Sequence, residues 1–168
     1  ANGGYKIRPK ILTEDNQLTS EQVKKAMQDS KLNNNYEPLY NDQRNIKIVQ
    51  ETMFSSTNEL RGTSYKSRID DPKYQFAGKT GTAQVKRISK RERELDLKTS
   101  EIPYEERDHA LYVAFGPYRN PRYAVSIIVE HGGSGSSAAA PMATKLFKLI
   151  VDRHHYRKQL PDYKEFNI

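Results

Sequence analysis

The stretch Phe76-Ala77-Gly78-Lys79-Thr80-Gly81-Thr82-Ala83-Gln84-Val85 decides the reading of this chain. A Lys-Thr-Gly triplet enters an apolar, β-prone run crowded with small residues. Gly78 and Gly81 flank the pair Lys79-Thr80, so a partner can approach the backbone without meeting a Cβ. Thr80 and Thr82 are two apart, which on a strand sets both hydroxyls on one side. Lys79 then faces the other way, towards a catalytic core or towards solvent. Taken alone, a lysine on a strand is usually a solvated edge charge and a threonine is a good β-former.

The elements on either side follow from patterning. Tyr74 to Val85 reads as the strand that carries the triplet, after a turn at Asp70-Asp71-Pro72. Leu111, Val113 and Phe115 alternate with Ala110, Tyr112 and Ala114, and Tyr123, Val125, Ile127 and Val129 share one face of a further strand. The short connector Pro117 to Pro121 predicts an antiparallel hairpin, and apolar residues on both faces predict a covered, central position. Upstream, Ala1 to Leu12 begins with a Gly3-Gly4 bend and a short strand. Thr19 to about Ser30 reads as a capped helix, with a loop from Lys31 to Asn41. Asp42 is the predicted N-cap of a helix reaching about Asn58, with Ile46, Val49, Met53 and Phe54 as its stripe. Gly62 is expected as its C-cap or a turn. After a Gly and Ser loop over Gly132 to Ser137, a last helix runs from about Ala139 to His154, with Pro141 in its first turn. Met142, Leu146, Leu149 and Ile150, flanked by Phe147 and Val151, are expected to lie on the sheet. The fold class is therefore α+β, an antiparallel sheet of three main strands with packed helices. The segment from His155 to Ile168 is a polar tail.

Composition narrows the rest. The 168 residues are 35% hydrophobic with a net charge of +7, and mean hydropathy is −0.91. The basic residues are spread along the chain among acids, and no helix-turn-helix, RNP-like or zinc-finger spacing occurs, so no nucleic-acid partner is expected. There is no cysteine, which rules out disulfide and thiolate chemistry. No apolar run approaches the roughly 20 residues of a membrane span. His109 and His131 have no Asp or Glu partner at ligand spacing, and the adjacent His154 and His155 point to different helix faces, so structural or surface roles are expected for all four, with no metal and no cofactor. Glu130, at a strand end, is read as a structural pairing residue. Lys86 to Asp108 is dense in both charges and lacks an apolar period, which predicts a solvated loop.

The triplet belongs to the marks of penicillin-binding proteins and serine β-lactamases. The chain from Ala1-Asn2-Gly3-Gly4 to about Ile150 resembles the C-terminal half of a class B penicillin-binding protein transpeptidase domain, of the penicillin-binding protein 2 type. The matching pieces keep the family's order: Ala1-Asn2-Gly3-Gly4 with Pro9, then Gly62-Thr63, then Ala77 to Gln84. Arg107-Asp108-His109, Phe115-Gly116-Pro117-Tyr118 with Asn120-Pro121, and Glu130-His131-Gly132-Gly133 with Gly135 follow. The resemblance implies half of a five-stranded sheet and assigns 1–154 to the transpeptidase domain.

It implies acyl transfer between peptidoglycan stem peptides and binding of β-lactams. Lys79 and Thr82 would be catalytic, Lys79 by stabilising negative charge and aiding proton transfer, and Thr82 by offering its backbone N–H to the oxyanion. Thr80, Gly81 and Thr82 would bind substrate, the two hydroxyls holding its carboxylate and Gly81 letting it lie along the strand. The family's Ser-x-x-Lys nucleophile and Ser-x-Asn motif are not found in matching places, which predicts a fragment inactive alone. A glycosyltransferase of cell elongation, the periplasmic face of the bacterial inner membrane and an N-terminal membrane helix are expected for the parent. For the fragment a homodimer is expected, in which two copies join the bare edges of the strand Tyr123 to Glu130 or swap an element to cover them. A non-catalytic binding module and half of a serine β-lactamase are the competing readings. Ala1-Asn2-Gly3-Gly4 and Glu130-x-Gly132-Gly133 speak against the β-lactamase.

Overall fold

The structure, a computed structural model, describes residues 3, 4, 6, 38–87, 94, 95 and 97–159. The strand and helix read between Ala1 and Ser30 therefore lie outside the described residues, apart from positions 3, 4 and 6. Two helices and three strands carry the fold: α1 (Gln43–Asn58), β1 (Ala77–Ala83), β2 (His109–Gly116), β3 (Tyr123–Val129) and α2 (Ala140–Lys158). The strands form one antiparallel sheet in the order β1-β2-β3. Thr80 sits opposite Tyr112 and Thr82 opposite Ala110, while Tyr112 sits opposite Ile127. The antiparallel hairpin of β2 and β3 is as expected. β2 is the central strand, covered on the face of Ala110, Tyr112 and Ala114, while Val113 on the other face is exposed, contrary to the expected covering of both faces. β3 is an edge of the described sheet, with Ala124, Ser126 and Ile128 exposed.

α1 starts where the sequence sets it. The Asp42 carboxylate accepts from the Arg44 N–H at 2.9 Å, satisfying an otherwise orphaned donor of the first turn. The Arg44 side chain lies on the same carboxylate and holds the Asp42 pKa below its ordinary value. At the far end, the Glu59 N–H closes onto Ser55 O and the Gly62 N–H onto Glu59 O. Gly62 is thus a turn residue pressed against α1, where a Cβ would run into the Ser55 and Ser56 carbonyls.

Phe76, Tyr112 and Phe147 form the centre of the core, with Phe76 and Phe147 stacked at 4.8 Å between ring centroids. Around them pack Ala110, Ala114, Ala139, Ala140 and Ala143. Small residues on both β2 and α2 let the helix approach the strand closely, and the three aromatics fill the space that is left.

This corrects the expected face of the last helix in part. Phe147 and Val151 are buried as expected, together with Ala140 and Ala143, and Ile150 is half-buried, whereas Met142, Leu146 and Leu149 are exposed. Both sets satisfy helical spacing, but only the alanine-bearing set is small enough to sit on β2. The helix also runs to Lys158 rather than His154, and it is preceded by a π-helical turn at Gly135–Ala139 where a plain loop was expected. Pro141 does lie in its first turn. On α1 the expected stripe is only half covered: Met53 and Phe54 are half-buried, Val49 is exposed, and the residue fully buried is Thr57. The strand expected from Tyr74 begins at Ala77, because Tyr74 N–H closes the Asp71-Pro72 turn onto Asp71 O at 2.9 Å.

Candidate functional site

β1 holds Lys79, Thr80, Gly81 and Thr82 at one border of the sheet, with β2 its single strand neighbour among the described residues. Along a strand, successive carbonyls point to opposite sides. Three alternate carbonyls of this stretch accept side-chain donors. Asn58 Nδ2 donates to Phe76 O at 3.0 Å, Thr57 Oγ1 to Gly78 O at 3.4 Å and Lys79 Nζ to Thr80 O at 2.8 Å. The backbone groups of even-numbered residues are therefore turned away from β2, and the Thr82 N–H shares that outer border.

The side chains sort by alternation. Thr80 and Thr82 lie on the face of Tyr112 and Ala110, and Lys79 lies on the face of Val113. Lys79 and Thr82 are exposed and Thr80 is half-buried. Thr80 Oγ1 is 3.3 Å from Thr63 Oγ1, which is 3.1 Å from Ser56 Oγ. Gly81 faces Leu111, and the turn at Gly135 comes so close that a Cβ on Gly135 would collide with the carbonyls of Leu111 and Gly81.

Beneath β1 lies a hydroxyl cluster that the pattern of apolar residues did not show. The buried Tyr112 hydroxyl is 3.0 Å from both Thr57 Oγ1 and Ser64 Oγ, and Ser64 Oγ donates to Ser56 O at 3.1 Å. Burial pushes the Tyr112 pKa up, only partly opposed by its bonds to Ser64 and Thr57, so the group stays a neutral phenol. Its ring end occupies the space where a Cβ of residue 78 would be. Gly78 was the available signal, since a glycine inside a strand marks a close approach. Ser56-Thr57-Asn58 does have Ser-x-Asn spacing. It follows Gly3-Gly4 in the chain and spends Thr57 and Asn58 on tying α1 to β1.

His109 and His131 bind one another and the backbone. The His131 N–H donates to His109 Nδ1 at 3.0 Å, and His131 Nδ1 lies 3.1 Å from Arg107 O, with the rings 4.8 Å apart. His131 takes φ of 53° at the turn after β3. Glu130 is exposed, and no ion pair of the described residues includes it, contrary to the expected pairing. Among the described residues no group of three or more metal-ligating side chains is found. The described part of the charged loop is exposed yet tied down. Lys86 Nζ meets Glu106 at 2.6 Å, the Val85 N–H reaches Asp108 Oδ1 at 3.3 Å, and the Gly133 N–H reaches Asp108 O at 2.8 Å.

A family model of the penicillin binding protein transpeptidase domain matches residues 1–148. The chain belongs to that family. Its likeness within the family is to the penicillin-binding protein 2 type. It is 32% identical over 164 residues to the peptidoglycan D,D-transpeptidase MrdA of Haemophilus influenzae, a match that takes in 94% of this chain and 24% of the relative. With MrdA of Escherichia coli K12 it shares 36% over 106 residues, 63% of this chain and 15% of the relative. Among solved structures, the complex between PBP2 and MreC of Helicobacter pylori superposes with a TM-score of 0.56 at 30% identity, over 73% of this chain and 21% of that one. The chain thus spans about a quarter, or less, of the relatives it matches.

Proposed function

We propose that this chain forms the substrate-binding wall of a serine D,D-transpeptidase of peptidoglycan synthesis. The observation that carries this reading is the outer border of β1 beyond Gly78, past the carbonyls that α1 takes, with Lys79 and Thr82 exposed on it and the backbone groups of Thr80 and Thr82 turned away from β2. A stem peptide can add to that border as a further strand. A serine supplied outside this chain attacks the carbonyl of the penultimate D-Ala, and its C–O bond forms as the carbonyl oxygen takes negative charge. The Thr82 N–H donates to that oxygen, and Lys79 lowers the cost of charge nearby. On collapse the C–N bond breaks, the proton lost by the serine hydroxyl passes to the departing nitrogen through a base outside this chain, and the terminal D-Ala leaves as an amine with the serine acylated. The amine of a second stem then takes the acyl group and frees the serine. The Thr80 and Thr82 hydroxyls hold the terminal carboxylate, and the carboxylate of a β-lactam takes the same place. The whole protein works at the periplasmic face of the inner membrane beside a glycosyltransferase of cell elongation. The solved complex of the Helicobacter pylori PBP2 with MreC supports a protein partner.

The test is incubation of this 168-residue chain with labelled penicillin, read by intact mass. With the nucleophile supplied from elsewhere, no covalent adduct forms. A stable acyl adduct would overturn the division of labour. The same preparation tests self-association. The Ala124 to Val129 stretch of β3 has no second strand beside it among the described residues, and Ile128 is 65% exposed. Such an edge is a template for pairing, so light scattering at about tens of micromolar should report a dimer. A monomer there would show that the edge is protected.

A further inference from the structure

Thr80 is held through a row of three hydroxyls that start in three separate places. Ser56 lies in the last turn of α1, Thr63 in the loop that follows, and Thr80 on β1. Among the described residues, Ser56 Oγ has Thr63 as its hydrogen-bond partner, Thr63 Oγ1 has Ser56 and Thr80, and Thr80 Oγ1 has Thr63. Each hydroxyl carries one proton and can accept at two lone pairs. Such a row can run in either direction, and nothing within it chooses. An anion set against Thr80 does choose: it accepts the Thr80 proton, so Thr63 must donate to Thr80 and Ser56 to Thr63. Each donation strengthens the next.

The placement of Thr63 is tightly determined. Gly62 before it lies against the Ser55 and Ser56 carbonyls without room for a Cβ. Ser64 after it is fixed by its bonds to Ser56 O and the Tyr112 hydroxyl. Thr63 itself is exposed, so water can replace its bonds and its contribution to folding is small.

We propose that Thr63 is a positioning residue for the substrate carboxylate, holding the Thr80 hydroxyl with its proton turned towards the anion, and that Ser56 ends the row. This rests on the reading that the Thr80 hydroxyl meets that carboxylate. The experiment uses a complete transpeptidase domain containing this segment. It measures the acylation rate with labelled penicillin and the thermal midpoint for Thr63→Val, Thr63→Ser, Thr80→Val and the double variant Thr63→Val/Thr80→Val. Thr63→Val should slow acylation roughly three- to tenfold with an unchanged midpoint, Thr63→Ser should restore the rate, and Thr63→Val should add nothing once Thr80 is valine. A Thr63→Val variant at the wild-type rate beside a slow Thr80→Val variant overturns the role of Thr63 and leaves the site reading standing. A loss that is the same with and without the Thr80 hydroxyl, together with a lowered midpoint, also overturns it. Thr80→Val at the wild-type rate overturns the site reading and this inference with it.

Discussion

On one face of the sheet, Phe76, Ala110, Tyr112 and Ala114 are buried beneath Ala143 and Phe147 of α2. On the other, Lys79 is exposed, Val113 is 47% exposed and Ile128 65% exposed, with α1 leaving an open groove lined by Ile46, Val49, Met53, Val113 and Phe115. The two faces belong to the same three strands, and successive residues supply them in turn. The difference teaches how strand alternation divides burial between the two faces. The α2 face holds the fold together through small residues and stacked rings, and Thr80 and Thr82 continue it along β1, the first half-buried and the second exposed. The Lys79 face leaves apolar and charged groups uncovered among the described residues.

The contrast is broken most severely at Phe147. Phe147→Ala should destabilise the chain by about 3–5 kcal/mol, the cost of truncating a fully buried aromatic. Val113→Thr on the open face should change stability by no more than about 0.5 kcal/mol. Chemical denaturation of both variants checks this, and equal losses would show that the two faces are alike.

Tyr112→Phe should be intermediate, about 1–2 kcal/mol, because Thr57 and Ser64 lose a buried partner but keep each other at 3.3 Å. It also sharpens the contrast through pH. Burial favours the neutral phenol and raises the folded pKa above the ordinary 10.0. That contribution is whole below pH 10 and is lost as pH climbs through the raised value. Stability measured against pH on the alkaline side should fall in the wild type and flatten in Tyr112→Phe.

The strands and the hairpin were legible because alternation is strong in Ala110 to Phe115 and Tyr123 to Val129, and β1 because Gly78, Thr80 and Thr82 keep a two-residue spacing. The buried face of α2 was not. Met142, Leu146 and Leu149 are the more hydrophobic set, but the choice was made by size against Ala110 and Ala114, and periodicity does not encode size. The candidate site was read as a motif, from Lys79 to Thr82. Its supports were not, because Tyr112 is far in the chain from Thr57 and Ser64, and polar contacts over 48 and 55 residues leave no local pattern. Only Gly78 hinted at them.

The central claim is that β1 is the catalytic border, and acylation of a complete domain carrying Lys79→Ala tests it most directly. Lys79 is exposed, so the fold should persist and the loss should be chemical. The account predicts that labelled penicillin acylates this variant more than about a hundredfold slower, against roughly ten- to a hundredfold for Thr82→Val, which forfeits one bond to a charged group. Acylation of Lys79→Ala at the wild-type rate would contradict it.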